Sequence, residues 1–410
     1  MTPAPRAVIA LGALALAALV VPVGVVALGL VALIAAVAVD ARAARRAPRT
    51  ERRAPEVLSR GVPVPVSVTA QPPAGGRTRV RQPAPAALTV EPREGDGTLQ
   101  AQLVATRRGR HVLPKVATRT QGPLGLARWD HRPGDDTEVR VFPDLHTARR
   151  LALAVARGRF RDQGISARGP LGLGTEFELI RDYEPDDDIR QVNWRATARL
   201  GRPMSNQYRL EQDRDLLLLL DAGRLSDAPL GDATVLDTCL DAAAALAYVA
   251  DELGDRTGAM AFDQEVRTAL APRRQGGQAV VRTLFDLHPR PLDSDYELAF
   301  RRAEGAKRAF VVVFCDLLEE AAARPLVEAV PVLARKHVVV VASPSDPLLA
   351  EIAGGPDEAR AIIAGDVLRA RARVADRLRA AGARVLEAPP DKLPATLVAT
   401  YLRAKSRATF

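Results

Sequence analysis

Two carboxylates stand where long apolar runs end. Asp221 closes "DLLLLLD" (Asp215–Asp221), and Asp316 follows "VVVFC" (Val311–Cys315). An acid at the carboxyl end of a buried strand lies where open α/β sheets build their sites. A second concentration of chemistry falls between Gly174 and Arg199. It brings Glu176, Arg181, Tyr183, Glu184, Asp186, Asp187, Asp188, Arg190, Trp194, Arg195 and Arg199 into one short, weakly periodic stretch. Arginine pairs bidentately with carboxylates and stacks on aromatic faces. The first reading is therefore a polar clasp that fixes an irregular segment, and the second is a docking surface for a partner. A metal site at Asp186–Asp188 ranks last, because adjacent acids rarely converge on a cation without ligands from elsewhere. The five histidines are scattered, and no G-x-S-x-G elbow or phosphate-binding loop occurs. No nucleophile–base pair can be placed, so no catalytic residue and no cofactor are expected.

The elements that must position these groups alternate. Strand-like runs at Asp215–Asp221, Thr257–Asp263, Arg308–Asp316, Lys336–Ser343 and Ala383–Ala388 are separated for the most part by helical patterns. Continuous apolar strands with helices between them predict a mostly parallel sheet covered on both faces. "TGAMAFDQEVRTAL" (Thr257–Leu270) looks instead like a hairpin, which predicts one antiparallel edge. Residues 213–410 are expected to form this α/β domain, and residues 146–212 the segment that carries the charged signature. Upstream, residues 61–145 alternate apolar and polar positions, broken by Gly and Pro, and predict a small β-sandwich.

The amino terminus is of another kind. From Ala7 to Val39 there are 33 residues without a charge. As one straight helix they would reach roughly 50 Å, well past the ~30 Å hydrocarbon core. "VPVG" (Val21–Gly24) supplies a breaker near the middle, so residues 1–40 favour a transmembrane hairpin over one long kinked span. A basic linker, residues 41–60, follows with Arg42, Arg45, Arg46, Arg49, Arg52, Arg53 and Arg60. Positive residues beside a span stay cytoplasmic. The soluble part is thus placed in the cytoplasm, anchored to the plasma membrane, and a cleaved signal peptide is disfavoured. The 410 residues carry a formal charge of +9, yet lysine occurs only five times and no aromatic-plus-basic platform appears. Nucleic acid is therefore excluded as a partner. Cys239 and Cys315 lie in apolar contexts and read as buried small hydrophobes.

The segment Gly174–Arg224 resembles the bacterial family known as domain of unknown function 58. The resemblance is carried by Glu176-Phe177, Arg181-Asp182-Tyr183, Pro185 to Asp188, Arg190 with Trp194, and Thr197-Ala198-Arg199, then a strand ending in Asp. Asp186 stands where the family has glycine. "GPLGL" (Gly122–Leu126), "VFPDL" (Val141–Leu145) and the amino-terminal apolar run also match what precedes the signature. The resemblance implies a C-terminal von Willebrand factor A-like domain and a MoxR-type AAA+ ATPase as partner. In that fold a divalent cation is held by D-x-S-x-S, a threonine from a second loop and an aspartate from a third. Here Asp221 is followed by Gly223 and Leu225 in place of the serines; Ser294 falls at the threonine position and Asp316 at the third loop. Two hydroxyl ligands are missing, so Mg²⁺ at Asp221, Ser294 and Asp316 is the lesser expectation. The helix caps and ion pairs these acids could make, Asp221 with Arg224 among them, are the greater. The combined expectation is a membrane-anchored, non-enzymatic interaction scaffold; a metal-dependent ligand-binding A-domain is the alternative.

Overall fold

The computed structural model describes residues 2–72, 76–158, 160–162, 165–167, 171–184, 187, 189–209, 214–305, 307–317 and 320–406, with side chains left aside at 160–179, 190, 207–209 and 320. The chain divides into two compact units, Met1–Val141 and Phe142–Phe410.

In the first unit the uncharged run forms two helices, α1 (Pro5–Ala17) and α2 (Val23–Ala44), broken at Ala18–Pro22. Pro22 lies at the end of the break and caps the second helix. Leu14 of α1 lies over Gly29 of α2: a Cβ on Gly29 would come 2.9 Å from its Cδ1. Both helices return to one place. Ala4 N–H donates to the Leu126 carbonyl at 2.9 Å, and Asp40 accepts the N–H groups of Leu124, Leu126 and Ala127 at 2.7, 2.6 and 2.8 Å. The fully buried Asp40 thus roots the end of α2 in the turn 122–127. Of the two helices only α2 is long and apolar enough to cross a membrane, with mean hydropathy 2.5. The 13 residues of α1 span only about 20 Å as a helix.

The rest of the unit is β structure, in sheets of five, four and three strands around one core that includes Leu58, Val66, Val68, Val80, Leu99, Leu103, Leu113 and Val139. The expected linker 41–60 is not one. Its residues complete α2 and form strands Arg49–Arg53 and Val57–Ser59, the first paired antiparallel with Val64–Gln71. Arg49, Arg52 and Arg53 belong to an edge strand, and Arg52 bonds the Pro114 carbonyl at 2.7 Å and the Asp135 carbonyl at 2.6 Å. A run dense in arginine reads as a solvated linker because nothing local reveals those carbonyls.

The second unit is built on a six-stranded sheet. Its order is Val266–Arg274, Arg256–Phe262, Asp215–Asp221, Ala309–Phe314, Val338–Pro344 and Arg384–Ala388. All neighbours are parallel except the first pair, the expected hairpin edge. The central strand Asp215–Asp221 is buried throughout. Leu216, Leu218 and Leu220 point into one core, and Leu217 and Leu219 into another. The five leucines therefore serve both faces, as a strand covered on two sides requires. Helix α3 (Leu145–Ala156) precedes the signature, which holds α4 (Trp194–Leu200) between two antiparallel strands, Leu171–Asp182 and Met204–Arg209. The sheet is followed or interleaved by α5 (Val235–Glu252), α6 (Gly276–Leu284), α7 (Tyr296–Glu304), α8 (Glu320–Ala334), α9 (Pro347–Ala353), α10 (Glu358–Ala380) and α11 (Leu393–Ser406). Helices α5 and α11 pack on the face of Leu218, and α7, α8 and α10 on that of Leu219.

One buried ion pair closes the unit. Lys405 of α11 donates to both oxygens of Asp255 at 2.5 Å, and Tyr401 donates to Oδ2 at 2.5 Å. The Arg214 N–H, at the start of the central strand, donates to the same carboxylate at 3.1 Å. Lys405 and Asp255 side chains are 1% and 0% exposed. Removing one partner would leave a buried charge unanswered. Lys405→Met is expected to lower the stability of the full chain by about 3–5 kcal/mol in chemical denaturation. A much smaller loss would mean that water reaches Asp255.

Candidate functional site at the strand ends

The site forms where the central strand delivers Asp221. The loop 290–295 is laced to the residues after it: Arg290 N–H donates to the Ala222 carbonyl at 2.9 Å and Arg224 N–H to the Leu292 carbonyl at 2.8 Å. This lacing brings two hydroxyls onto one carboxylate. Ser294 Oγ donates to Asp221 Oδ1 at 2.5 Å, and Tyr296 Oη to Oδ2 at 2.5 Å. Gly223 N–H adds a third donor at 2.8 Å. Ser226, just outside the motif, spends its hydroxyl on the Asp221 carbonyl at 2.6 Å. Asp221 is 5% exposed.

Gly223 explains the missing serine. A Cβ there would come 2.4 Å from Ser294 Oγ and 2.7 Å from the Leu292 carbonyl. The space a serine would use is taken by the Ser294 hydroxyl and the backbone of its loop. Leu225, at the second serine position, lines a cavity of about 260 Å³ with Asp221, Ser294, Tyr296, Ala321 and Pro325.

Asp316 pairs with Arg371 of α10, at 2.8 Å, with the two side chains 5% and 6% exposed. Arg371 also donates to Ser343 Oγ at 3.0 Å and the Pro344 carbonyl at 2.9 Å, and it pairs with Glu387 at 3.3 Å. A guanidinium therefore stands beside this acid. Arg224, weighed above as a partner for Asp221, reaches Asp293 at 2.6 Å. Among the described residues no group of three His, Cys, Asp or Glu side chains is arranged to hold a metal ion. Both cysteines are buried and free, and burial pushes their thiols well up, so they stay protonated.

Sequence reasoning missed Tyr296 and Arg371. Tyr296 lies two residues after Ser294 in "DSDYEL", so its side was open to inference once Ser294 was singled out. Arg371 lies 55 residues from Asp316 among many arginines of α10, and no local signal marks it.

The signature forms its own cluster. Arg181 grips Asp187 with both guanidinium nitrogens, at 2.9 and 2.5 Å. Asp187 also accepts the Glu184 N–H at 2.9 Å, and Tyr183 Oη donates to the Asp187 carbonyl at 3.2 Å. The pairing holds the Arg181 guanidinium above its ordinary basicity. Asn193 caps α4 through the Ala196 N–H, and Thr197 Oγ1 accepts the Met204 N–H. Gly201 ends the helix at φ 67°, a conformation suited to glycine. Trp194, at the start of α4, is 70% exposed; Ile189 and Leu200 nearby are 69% and 53% exposed. Arg199 is exposed in the last turn of α4, where a cation complements the helix end. Of the remaining signature residues, Asp188 and the side chains of Glu176 and Arg190 lie outside the described residues.

An α/β unit whose strand-end acids are answered by its own hydroxyls and arginine, joined to a clasped signature segment, is thus the kind of protein defined here. Residues 179–370 match the model of the family described as protein of unknown function DUF58. Uncharacterized protein Rv1480 of Mycobacterium tuberculosis is 28% identical over 154 residues, 36% of this chain and 48% of its own length; Mb1516 of Mycobacterium bovis matches equally. Uncharacterized protein YeaD of Bacillus subtilis is 25% identical over 126 residues, 30% of this chain and 31% of its own. The chain thus spans about half the length of the mycobacterial relatives it matches.

Burial pushes the Asp221 carboxyl above 3.8, and the bonds from Ser294, Tyr296 and Gly223 pull it part of the way back. A carboxyl raised in the folded state contributes stability that is whole below its unfolded value and is lost as pH rises through the folded value. Asp221→Asn removes that loss. The melting temperature of the variant is expected to gain on the parent as pH rises from below 3.8 to neutrality. Parallel pH profiles would show that the buried carboxylate titrates as if in water.

Proposed function

We propose that the chain is a membrane-anchored, non-enzymatic interaction scaffold. Its C-terminal unit would act as a von Willebrand factor A-like module that presents the signature segment to a cytoplasmic partner. The observation that carries this reading is Trp194. A tryptophan 70% exposed on a helix fixed by Asn193 and Thr197 is a ready anchor for a partner's pocket. The resemblance in Arg181 to Arg199 points to a MoxR-type AAA+ ATPase as that partner, acting in assembly or maturation of other proteins. The apolar α2 and the arginines after it support a plasma-membrane anchor with both units in the cytoplasm.

The metal-dependent alternative fits the strand ends poorly. Ser294 and Tyr296 direct their protons at Asp221, and Arg371 already neutralises Asp316. A hard cation would have to displace both sets.

The test is affinity capture of the full chain in mild detergent with a MoxR-type AAA+ ATPase and nucleotide. The parent is expected to retain the ATPase, and Trp194→Ala to weaken retention by about thirtyfold, as for a central anchor. Equal retention by parent and variant, or no retention by the parent, would count against the proposal.

A further inference from the structure

The first unit carries one sheet whose charge is arranged by rows. The sheet runs Thr2–Pro3, Ala127–His131, Ala117–Gln121, Arg77–Arg81 and Glu94–Asp96. Residues directly opposite one another share a face. Thr2, Arg128, Gln121 and Arg77 form the first row on the exposed face. Asp130, Arg119, Arg79 and Asp96 form the second, about 7 Å further along the strands. Ala117, Arg81 and Glu94 form the third. The second row is neutral: Arg119 pairs with Asp130 at 2.7 Å and Arg79 with Asp96 at 3.3 Å. The third is neutral too, with Arg81 and Glu94 4.0 Å apart. The first row has two arginines and no acid, and among the described residues neither Arg77 nor Arg128 has an acidic partner.

The unbalanced row lies at the root of the apolar hairpin. Thr2 pairs with Arg128 just before α1 begins at Pro5. The last turns of α2 run along the strand Ala127–His131 in the same direction: Asp40 meets Ala127, and the Ala44 carbonyl meets His131 Nε2 at 3.0 Å. The hairpin therefore projects past the Arg128 end of the sheet, and the neutral rows recede from it. Arg6 of α1 joins this end, since a Cβ on Gly125 would come 3.2 Å from its Nη1. The nearby Asp40 is spent on three backbone N–H groups and fully buried, so it does not offset the arginines at the surface. Between the first two rows opens a groove of about 600 Å³, lined by Arg77, Arg79, Arg119, Gln121 and Arg128, with Asp96, the partner of Arg79, also on its wall.

We infer that this groove seats the headgroup of an anionic phospholipid. The inference rests on the reading of the hairpin as a membrane anchor, which sets the bilayer surface beside the first row. Guanidinium groups match phosphate oxygens bidentately. Attraction to an anionic leaflet falls off over a Debye length, about 8 Å at physiological salt, so the row at the hairpin root gains most from lacking acids. That is where the uncompensated arginines are.

The experiment uses the full chain in nanodiscs of mixed phosphatidylcholine and phosphatidylglycerol, with native mass spectrometry counting the lipids that stay bound. The parent should retain phosphatidylglycerol in excess, and less so as salt is raised. Arg77→Gln with Arg128→Gln should cut that excess roughly fivefold per arginine, while Arg53→Gln on another sheet leaves it unchanged. Thermal melts in phosphatidylcholine discs should coincide for all three proteins. An excess that survives the double variant, or a parent with no excess, overturns the headgroup site and leaves the anchor standing. Failure of the parent to float with vesicles overturns the anchor and the site together. Inorganic phosphate that protects the parent in phosphatidylcholine discs as well as phosphatidylglycerol does would reassign the groove to a soluble anion.

Discussion

A carboxylate removed from water must have its lone pairs answered, and the way Asp221 is answered governs the strand-end site. Ser294 and Tyr296 reach it only because the loop 290–295 is stitched to residues 222–224 by two backbone hydrogen bonds. The stitch in turn requires Gly223, since any side chain there would strike Ser294 and Leu292. The glycine at 223 and the Ser294 hydroxyl on Asp221 therefore depend on each other. The buried carboxylate at the strand end is answered from within.

The same rule recurs wherever this aromatic-poor chain must fix geometry. Asp40 gathers three N–H groups and roots the hairpin; Asp187 holds the signature through Arg181; Asp255 binds α11 through Lys405; Asp316 binds α10 through Arg371. Alanine, valine and leucine supply apolar area but little directional specificity. Buried acids with named donors supply it instead, at the cost of desolvation: burial raises the carboxyls of Asp221 and Asp255 against the pull of their partners. Each of these acids is a point where one substitution has a large effect.

Much of the α/β unit was legible because its signals are local. A run as short as "LLLLL", set among strands that alternate with helices, reads as a strand buried on both faces, and "TGAMAFDQEVRTAL" announces its own hairpin. Pro22 announced the break between α1 and α2. The signature's charges likewise pointed to a clasp, and Arg181 with Asp187 lies within six residues. What escaped was long-range. Arg371 is one arginine among many on α10, and its tie to Asp316 exists only once the sheet is assembled. The residues after α2 looked like a linker because a sheet edge rich in arginine is disguised by its charge; the carbonyls of Pro114 and Asp135 that Arg52 satisfies lie far along the chain. Asp221 was placed at a strand end from sequence, but its donors depended on a loop whose path no periodicity reveals.

The central claim is that the strand-end site is filled by the protein's own donors. Titration calorimetry of the full chain with Mn²⁺, run beside Asp221→Ala, tests it most directly. The account predicts heats no larger than dilution for both proteins. A saturable heat in the parent that Asp221→Ala abolishes would contradict it, because the cation would then have displaced Ser294 and Tyr296 from Asp221.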